Sequence, residues 1–284
     1  MLRHFVKRFG PAPTRKARRS GREGRPAVYV GENRVLTTTL RGQKLFLDSR
    51  DLSLSPHIIL EGTWEPSVTR AIASLVKPGM TVVEIGANVG YYTTLFGALV
   101  GPGGCVRAFE ANPEIFELLT HNIDINGLIP FVKAEPMLVC DSCGEREITL
   151  LDRHRGSGSM LSFTDEFVAM FHDVKTTISV RATTLDEYWK GVGRPIDLIK
   201  VDAEGSEPMI VDGMQAVLGQ PHLTLVCEFA VAFYRGSGGS AERFLNTLLA
   251  HGFSLNAITK NGIVPVSPEE LLSDEAGVEL LCTK

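Results

Sequence analysis

The chain has 284 residues, of which 44% are hydrophobic and 22% are charged, a balance typical of a globular protein and not of a disordered or fibrous one. Its net charge of −4 is uneven: residues 1–26 carry nine basic side chains and one acidic one, a net of +8, so the remaining residues carry −12. An acidic body argues against a nucleic-acid partner. No apolar run reaches the roughly 18 to 20 residues of a transmembrane helix, and we expect a cytoplasmic protein.

The N-terminal part divides into two predicted segments. Residues 1–26 are predicted to form a basic, flexible leader, because this stretch is punctuated by Pro and Gly and has no apolar core of its own. Weak contact with an anionic membrane surface is an alternative role for it. Residues 27–76 are predicted to form a β-rich and helical segment that includes a helix over Pro66 to Leu75.

Residues 77–284 are predicted to form one α/β domain, because apolar strand-like runs alternate there with helical stretches. The predicted strands are Thr81 to Ile85, Cys105 to Phe109, Phe131 to Val139, Ile196 to Val201 and Leu223 to Phe229. The predicted helices are Tyr91 to Val100, Pro113 to Asn126, Pro208 to Leu218 and Ala241 to His251. The last runs, Phe253 to Ile258 and Val278 to Cys282, are expected to pair antiparallel. The pattern indicates a Rossmann-like, mostly parallel seven-stranded sheet with an antiparallel closing strand.

The most informative stretch joins a hydrophobic strand that ends in an acid, Glu84, to a glycine-rich turn and a helix. Gly86 and Gly90 have no Cβ, so a ligand can lie against the backbone of this turn. The order acid-x-G-x-x-x-G matches neither the dinucleotide loop nor the triphosphate loop. It suits a ligand with an amino-acid moiety, whose ammonium binds an acid and whose carboxylate binds exposed backbone N–H groups.

Glu110 ends the next predicted strand, roughly twenty residues after the turn, where an acid can accept hydrogen bonds from both hydroxyls of a ribose. The turn and Glu110 together indicate an adenosine-containing ligand. The segment from Met137 to Asp141, after the third strand, is predicted to line the adenine. An ordinary strand-to-helix turn and plain core packing of Met137 are the alternatives.

Acidic residues also follow the strand that ends at Val201. Asp202 and Glu204 lie where a ligand crevice opens in a parallel sheet, and they are candidates for orienting an acceptor and removing its proton. Glu228, at the end of the neighbouring strand, is a third catalytic candidate. Asp202 and Glu228 could instead hold a divalent cation through oxygen ligands, but no histidine has a convincing ligand spacing, so no metal is predicted.

Four residues are predicted to bind the substrate: Trp64, Glu65, Glu204 and Glu207. Trp64 and Glu65 precede the first strand of the α/β domain and could flank the acceptor pocket. Burial of Trp64 in the core is the alternative for that residue, and complementation of a helix dipole is the alternative for Glu207.

Three motifs carry a family resemblance: Val83-Glu-Ile-Gly-Ala-Asn-Val-Gly-Tyr-Tyr-Thr, Ala108-Phe-Glu-Ala-Asn-Pro and Ile199-Lys-Val-Asp-Ala-Glu-Gly-Ser-Glu. With them the chain resembles the FkbM-type methyltransferases. The resemblance implies a class I methyltransferase fold, S-adenosylmethionine as methyl donor, and O-methylation of a hydroxyl on a sugar or another natural-product-type small molecule. With the motif positions added, the predicted cofactor-binding residues are Glu84, Gly86, Asn88, Gly90, Tyr91, Glu110, Ala111, Asn112, Met137 and Asp202.

Two other hypotheses stay open on the sequence alone. The first is a non-catalytic module that binds S-adenosylmethionine and docks through its basic leader; the strand-end acids, which a scaffold does not need, argue against it. The second is a nicotinamide-dependent oxidoreductase, which the absence of G-x-G-x-x-G disfavours.

Overall fold

A small antiparallel sheet and two helices precede the main sheet. The computed structural model describes residues 25–155, 168–169, 172–232, 234 and 240–284, so the predicted leader lies outside these ranges except for its last two residues. The first elements are β1 (Val28–Gly31), β2 (Arg34–Thr38), β3 (Lys44–Asp48), α1 (Ser55–Glu61) and α2 (Pro66–Leu75). The three strands pair in the order β1-β2-β3.

Strands and helices then alternate along the chain. In order they are β4 (Thr81–Ile85), α3 (Tyr91–Val100), β5 (Cys105–Phe109), α4 (Pro113–Ile125), β6 (Val132–Glu135), β7 (Leu138–Val139), β8 (Gly144–Leu151), β9 (Lys175–Thr183), α5 (Leu185–Trp189), β10 (Leu198–Val201), α6 (Glu207–Asp212), α7 (Gln215–Leu218), β11 (Thr224–Phe229), α8 (Ala241–Ala250), β12 (Ser254–Thr259), β13 (Gly262–Pro265), α9 (Pro268–Ser273) and β14 (Val278–Thr283).

The main sheet has the strand order β13-β12-β14-β11-β10-β4-β5-β6. The strands from β11 to β6 are parallel to one another, and β14 is antiparallel to both of its neighbours. The predicted α/β class with an antiparallel closing strand is confirmed. Within the described ranges the sheet has eight strands, one more than predicted, because β13 folds back on β12 as a hairpin.

Helices cover both faces of this sheet, and each face has its own apolar core. Val82 and Val106 face α3, α4 and the N-terminal segment, which contributes Leu47 and Ile58. The alternate residues of the same strands point to the other face of the sheet, where they pack against α6, α7 and α8. Because both faces are covered, β4 and β10 are buried along their whole length, which explains why their sequences are apolar runs without alternation.

One predicted strand and one predicted helix are wrong, because each consists of two shorter elements in the structure. The strand predicted over Phe131 to Val139 is two strands, because Pro136 has no N–H to donate to a ladder. Its second part, β7, belongs to a separate sheet of order β7-β9-β8. The helix predicted over Pro208 to Leu218 is also two helices. Gly213 lies between them, and a Cβ there would stand 2.0 Å from the main-chain oxygen of Cys140.

Asn122, on α4, joins the N-terminal sheet to the main domain. Its amide nitrogen donates to the main-chain oxygens of Phe46 (2.9 Å) and Val89 (2.7 Å), and its amide oxygen accepts from the Phe46 N–H (2.6 Å). Asn122 is fully buried, so these bonds satisfy polar groups that water does not reach. Within the described ranges, no helix combines the length and the apolar character needed to cross a bilayer.

Candidate active site at the strand ends

A cleft opens where β4, β5 and β10 end, as expected for a parallel α/β sheet. It consists of two adjoining hollows, with about 470 Å³ of open space in the first and about 530 Å³ in the second. Gly86, Asp202 and Glu204 line both hollows, so they mark the junction between the two.

The turn after β4 is packed directly against the end of β10. Gly86 has a φ of +81°, and a Cβ on it would lie 1.9 Å from the main-chain oxygen of Asp202. No side chain fits in that space. A glycine at position 86 is therefore what allows the two strand ends to come together at the junction of the hollows.

The amide groups of this turn are occupied within the protein. The N–H groups of Gly86 and Ala87 donate to the main-chain oxygen of Phe109 (3.0 and 2.9 Å), and that of Gly90 donates to Ala87. The expectation that these amides face a ligand carboxylate is therefore wrong for the turn itself. Helix α3 begins at the next residue, Tyr91; its first amides have no acceptor within the helix, and its N-cap, Gly90, provides no side chain.

Glu110 is held in a fixed orientation by the backbone around it. Its Oε2 accepts from the Asn88 N–H and its Oε1 from the Asn112 N–H, both at 2.8 Å. Burial raises the pKa of Glu110 to about 7, although these two N–H groups and that of Ala111 act to lower it. Each carboxylate oxygen can accept more than one hydrogen bond, so the carboxylate keeps acceptor capacity towards the second hollow, which it lines.

The second hollow has mostly apolar walls. They come from the ends of β4, β5 and β7 and from α6: Ile85, Phe109, Ala111, Met137, Leu138, Val139 and Ile210. The Phe109 ring packs edge-on against Tyr188, with 4.8 Å between the ring centroids. The structure thus brings the predicted residues Met137 and Ala111 together with Glu110 around one mostly apolar space.

The first hollow combines an apolar wall with charged groups. Leu54, Trp64, Tyr91 and Tyr92 form the wall, Lys200, Asp202 and Glu204 supply the charges, and the carboxyl group of Glu84 lines the same hollow. Trp64 is only 7% exposed, so it belongs both to the core and to the lining of the hollow. Glu65 is adjacent: its carboxylate accepts a hydrogen bond of 2.9 Å from the Tyr92 hydroxyl.

Glu84, on β4, is almost fully buried beneath the first hollow. Its Oε2 accepts from the Thr93 hydroxyl at 2.5 Å. Burial raises the pKa of Glu84 to about 8, against the lowering effects of that hydrogen bond and of the nearby Lys200 ammonium. Near neutral pH this carboxyl group is therefore largely protonated in the free protein.

Lys200 and Tyr92 also belong to the site, although the sequence analysis did not select them. The Lys200 ammonium lies 2.9 Å from Asp202 Oδ2 and 4.5 Å from the centre of the Tyr92 ring. Burial acts to lower the pKa of Lys200, but Asp202, Glu65 and Glu279 together raise it, so the group stays positively charged. The available signal was the two-residue alternation of a strand: Lys200 is two residues before Asp202, so their side chains are expected on the same side of the sheet.

Two predicted site residues lie beneath the cleft and not on its wall. Glu207 and Glu228 are buried, and neither is among the described residues that line the two hollows. Glu207 begins α6, and its Oε1 accepts from the Ala203 N–H at 2.9 Å. Glu207 therefore supports the loop that carries Asp202 and Glu204. Burial, followed by the charge of Glu228, raises the pKa of Glu207 to about 8.

The remaining predicted residues support the cleft. Asn112 is the N-cap of α4, and its side chain accepts from the Glu114 N–H. Asn88 has a φ of +50°, and its side-chain oxygen accepts from the Val89 N–H at 2.7 Å. Among the described residues, no group of three or more His, Cys, Asp or Glu side chains is arranged to hold a metal ion.

Comparison with known proteins gives a family and several partial relatives. Residues 84–255 match the model of the methyltransferase FkbM domain. The methyltransferase sdnD of Sordaria araneosa is 25% identical over 180 residues, which are 55% of this chain and 67% of that protein. Protein-L-isoaspartate O-methyltransferase 1 of Arabidopsis thaliana is 34% identical over 64 residues, or 22% of this chain, and the match spans only 28% of that relative.

Two solved structures have a partly similar chain trace. An FkbM methyltransferase from Methylobacillus flagellatus KT is 12% identical with a TM-score of 0.44, over 76% of this chain and 50% of that one. An O-methyltransferase from Bacillus cereus in complex with SAH is 15% identical with a TM-score of 0.44, over 84% of each chain. The family match covers more than half of the chain and contains the cleft residues from Glu84 to Asp202. The chain therefore belongs to the FkbM methyltransferase family.

Proposed function

We propose that this protein is an O-methyltransferase that transfers a methyl group to a hydroxyl of a sugar or a similar small molecule. The observation that carries the proposal is the junction of the two hollows at Gly86, Asp202 and Glu204. One hollow has the apolar walls and the acid that suit an adenosine, and the other has the aromatic wall and the acids that suit a hydroxyl-bearing ring. A donor and an acceptor bound in them meet at the junction.

The residues of the cleft fit S-adenosylmethionine. Glu110 has acceptor capacity for the ribose hydroxyls, and the apolar walls around Met137 suit the adenine. Glu84 is an acid for the ammonium of the methionine part. The uncapped first turn of α3, at Tyr91, offers amide groups and a positive dipole end for its carboxylate. Bound in this way, the donor supplies an electrophilic methyl carbon.

On the acceptor side the protein mainly aligns a hydroxyl and takes its proton. Trp64, Tyr91 and Tyr92 give flat surfaces against which a ring can pack. Asp202 and Glu204 line the junction, and a carboxylate there can accept the proton of the acceptor hydroxyl. Lys200 cannot act as the base, because its raised pKa keeps it protonated. Glu65 fixes the Tyr92 hydroxyl, and Glu207 fixes the backbone at Ala203.

The proposal is tested with methyl-labelled S-adenosylmethionine and a panel of sugars, phenols and aliphatic alcohols, with label transfer followed by mass spectrometry. We expect label on the oxygen of at least one hydroxyl compound. We also expect the rate to fall by about 100-fold or more for Asp202→Asn or Glu204→Gln, in line with loss of general-base catalysis. Glu242→Gln, which changes an exposed acid on α8, should keep the full rate.

Two outcomes contradict the proposal. Label on nitrogen or carbon of an acceptor shows another type of transfer. Donor binding without transfer to any compound of a broad panel, including amines and thiols, supports the non-catalytic binding module instead.

A further inference from the structure

Lys200 is a buried cation immediately beside the junction of the two hollows. Lys200 is only 2% exposed and lines the first hollow. Its ammonium contacts Asp202, which lines both hollows. A lysine in the middle of a buried strand costs free energy unless it is paired.

Acidic residues from four parts of the fold surround the Lys200 ammonium. Asp202 directly follows the strand that carries Lys200, Glu65 precedes α2, and Glu279 is on β14; the carboxyl group of Glu84, opposite on β4, is largely protonated near neutral pH. Within the described residues, Asp202 is the hydrogen-bond acceptor of the ammonium, and the Tyr92 ring covers another side of it. An ammonium has three N–H donors, so the group keeps donor capacity towards the first hollow.

This position matters because methyl transfer changes the charge next to it. In the transfer the acceptor oxygen forms a bond to the methyl carbon, and the carbon–sulfur bond breaks with its electron pair going to sulfur. The proton of the acceptor hydroxyl goes to a carboxylate of the junction. The sulfur thereby goes from a positive charge to none. A fixed positive charge nearby destabilises the positively charged sulfur of the donor and therefore favours its conversion to the neutral sulfur of the product.

We propose that Lys200 is the residue that sets the charge balance at the donor sulfur: it weakens binding of the positively charged donor relative to the neutral product S-adenosylhomocysteine, and so favours transfer. The inference rests on the proposed location of the donor in the cleft. It assigns Lys200 an electrostatic role and leaves proton transfer to the carboxylates.

The test compares two ligands that differ by one methyl group and one charge. Calorimetric titration gives the dissociation constants of S-adenosylmethionine and S-adenosylhomocysteine for the wild type and for Lys200→Met, which keeps the length of the side chain but not its charge. We expect the affinity for the donor to rise about tenfold relative to that for the product, the scale of one unit charge several ångströms away in a protein site. A purely structural role changes both affinities by the same factor.

Matched variants keep the test decisive. Lys200→Gln retains an N–H donor for Asp202 and is measured beside Lys200→Met, with thermal unfolding to confirm that each variant is folded. Lys260→Met changes an exposed lysine and should leave the ratio as in the wild type. An unchanged ratio in a folded Lys200 variant overturns the inference alone. Wild-type protein that binds neither ligand, or binds both with no effect of Glu110→Gln, overturns the proposed location of the donor.

Discussion

The backbone of Gly86 is packed against the main-chain oxygen of Asp202, so closely that a Cβ at residue 86 would lie 1.9 Å from that oxygen. The contact joins the end of β4 to the end of β10, and Asp202 N–H donates in turn to the oxygen of Ile85 at 3.0 Å. The distance between the turn after β4 and the acid at the junction is thus set by backbone packing and not by flexible side chains.

Substitution of Gly86 by alanine should therefore destabilise the protein strongly. The new Cβ forces the two strand ends apart. In addition, the φ of +81° at residue 86 is strained for any residue with a side chain. We expect a loss of about 2–5 kcal/mol in the free energy of unfolding, measured by urea denaturation. Gly79→Ala is the matched control: it has a φ of +87° but no atom near its Cβ, so it should lose only about 1 kcal/mol. Equal losses in both variants contradict the steric argument.

Asn122→Ala should uncouple the N-terminal sheet from α4. The substitution leaves the Phe46 N–H and the oxygens of Phe46 and Val89 without their buried partners. Unsatisfied buried groups cost about 1–3 kcal/mol each, so the three groups together should cost about 3 kcal/mol or more, measured by urea denaturation. Asn126→Ala removes similar bonds to Lys44 at a more exposed position and should cost about 1 kcal/mol or less. A smaller effect for Asn122 than for Asn126 rules out this role.

The regular part of the fold was predictable because its signals are local. The helices Pro66–Leu75 and Tyr91–Val100 and the strands Thr81–Ile85 and Cys105–Phe109 have the predicted bounds. Each combines an apolar run or an apolar helical period with a proline or glycine at or next to its boundary. The sheet β7-β9-β8 escaped prediction because β8 and β9 are half exposed and pair with each other and with the two-residue strand β7.

The site was partly predictable for a similar reason. Glu84, Glu110 and Asp202 stand at strand ends, and the carboxyl ends of parallel strands necessarily meet. Lys200 was not selected because its role depends on which residues lie across the sheet and on α3. The burial of Glu207 beneath the cleft could not be inferred from its position in the motif either, since a residue at the start of a helix can face the cleft or the core.

Glu207→Gln should make stability less dependent on pH. The pKa of Glu207 is about 8 in the folded protein, raised mainly by burial, against 4.5 as the ordinary value. Between these values the folded state holds a proton that the unfolded state has lost, so stability falls as pH rises from about 5 to about 8. Glutamine keeps the oxygen that accepts from Ala203 and does not titrate.

The measurement is the free energy of unfolding in urea at several pH values from about 5 to about 8.5. The slope for Glu207→Gln should be clearly smaller than for the wild type; part of the wild-type slope remains because Glu84 has a similarly raised pKa of about 8. Glu242→Gln, at an exposed position, should follow the wild type. A variant with the wild-type slope is evidence that Glu207 is ionised in the folded protein.

Binding of an adenosine compound should depend on the ionisation of Glu110. The pKa of this residue is about 7 in the free protein, and its two oxygens already accept from Asn88 and Asn112. A proton on either oxygen removes acceptor capacity that a ribose needs. The fraction of protein competent to bind therefore rises with pH, and the affinity should increase about tenfold between about pH 6 and about pH 8. The probe is 5′-methylthioadenosine, a neutral nucleoside without an amino-acid group, so that its own titration does not enter.

Glu110→Gln separates the role of this carboxylate from other effects of pH. The variant should bind 5′-methylthioadenosine about 10- to 100-fold more weakly at about pH 8, because hydrogen bonds to a charged acceptor are replaced by weaker ones. It should also show little change between about pH 6 and about pH 8, whereas Glu242→Gln should keep the wild-type profile. If the Glu110 variant retains the full pH dependence, another group of the cleft controls nucleoside binding. Glu84, with its pKa of about 8, is then the next residue to substitute.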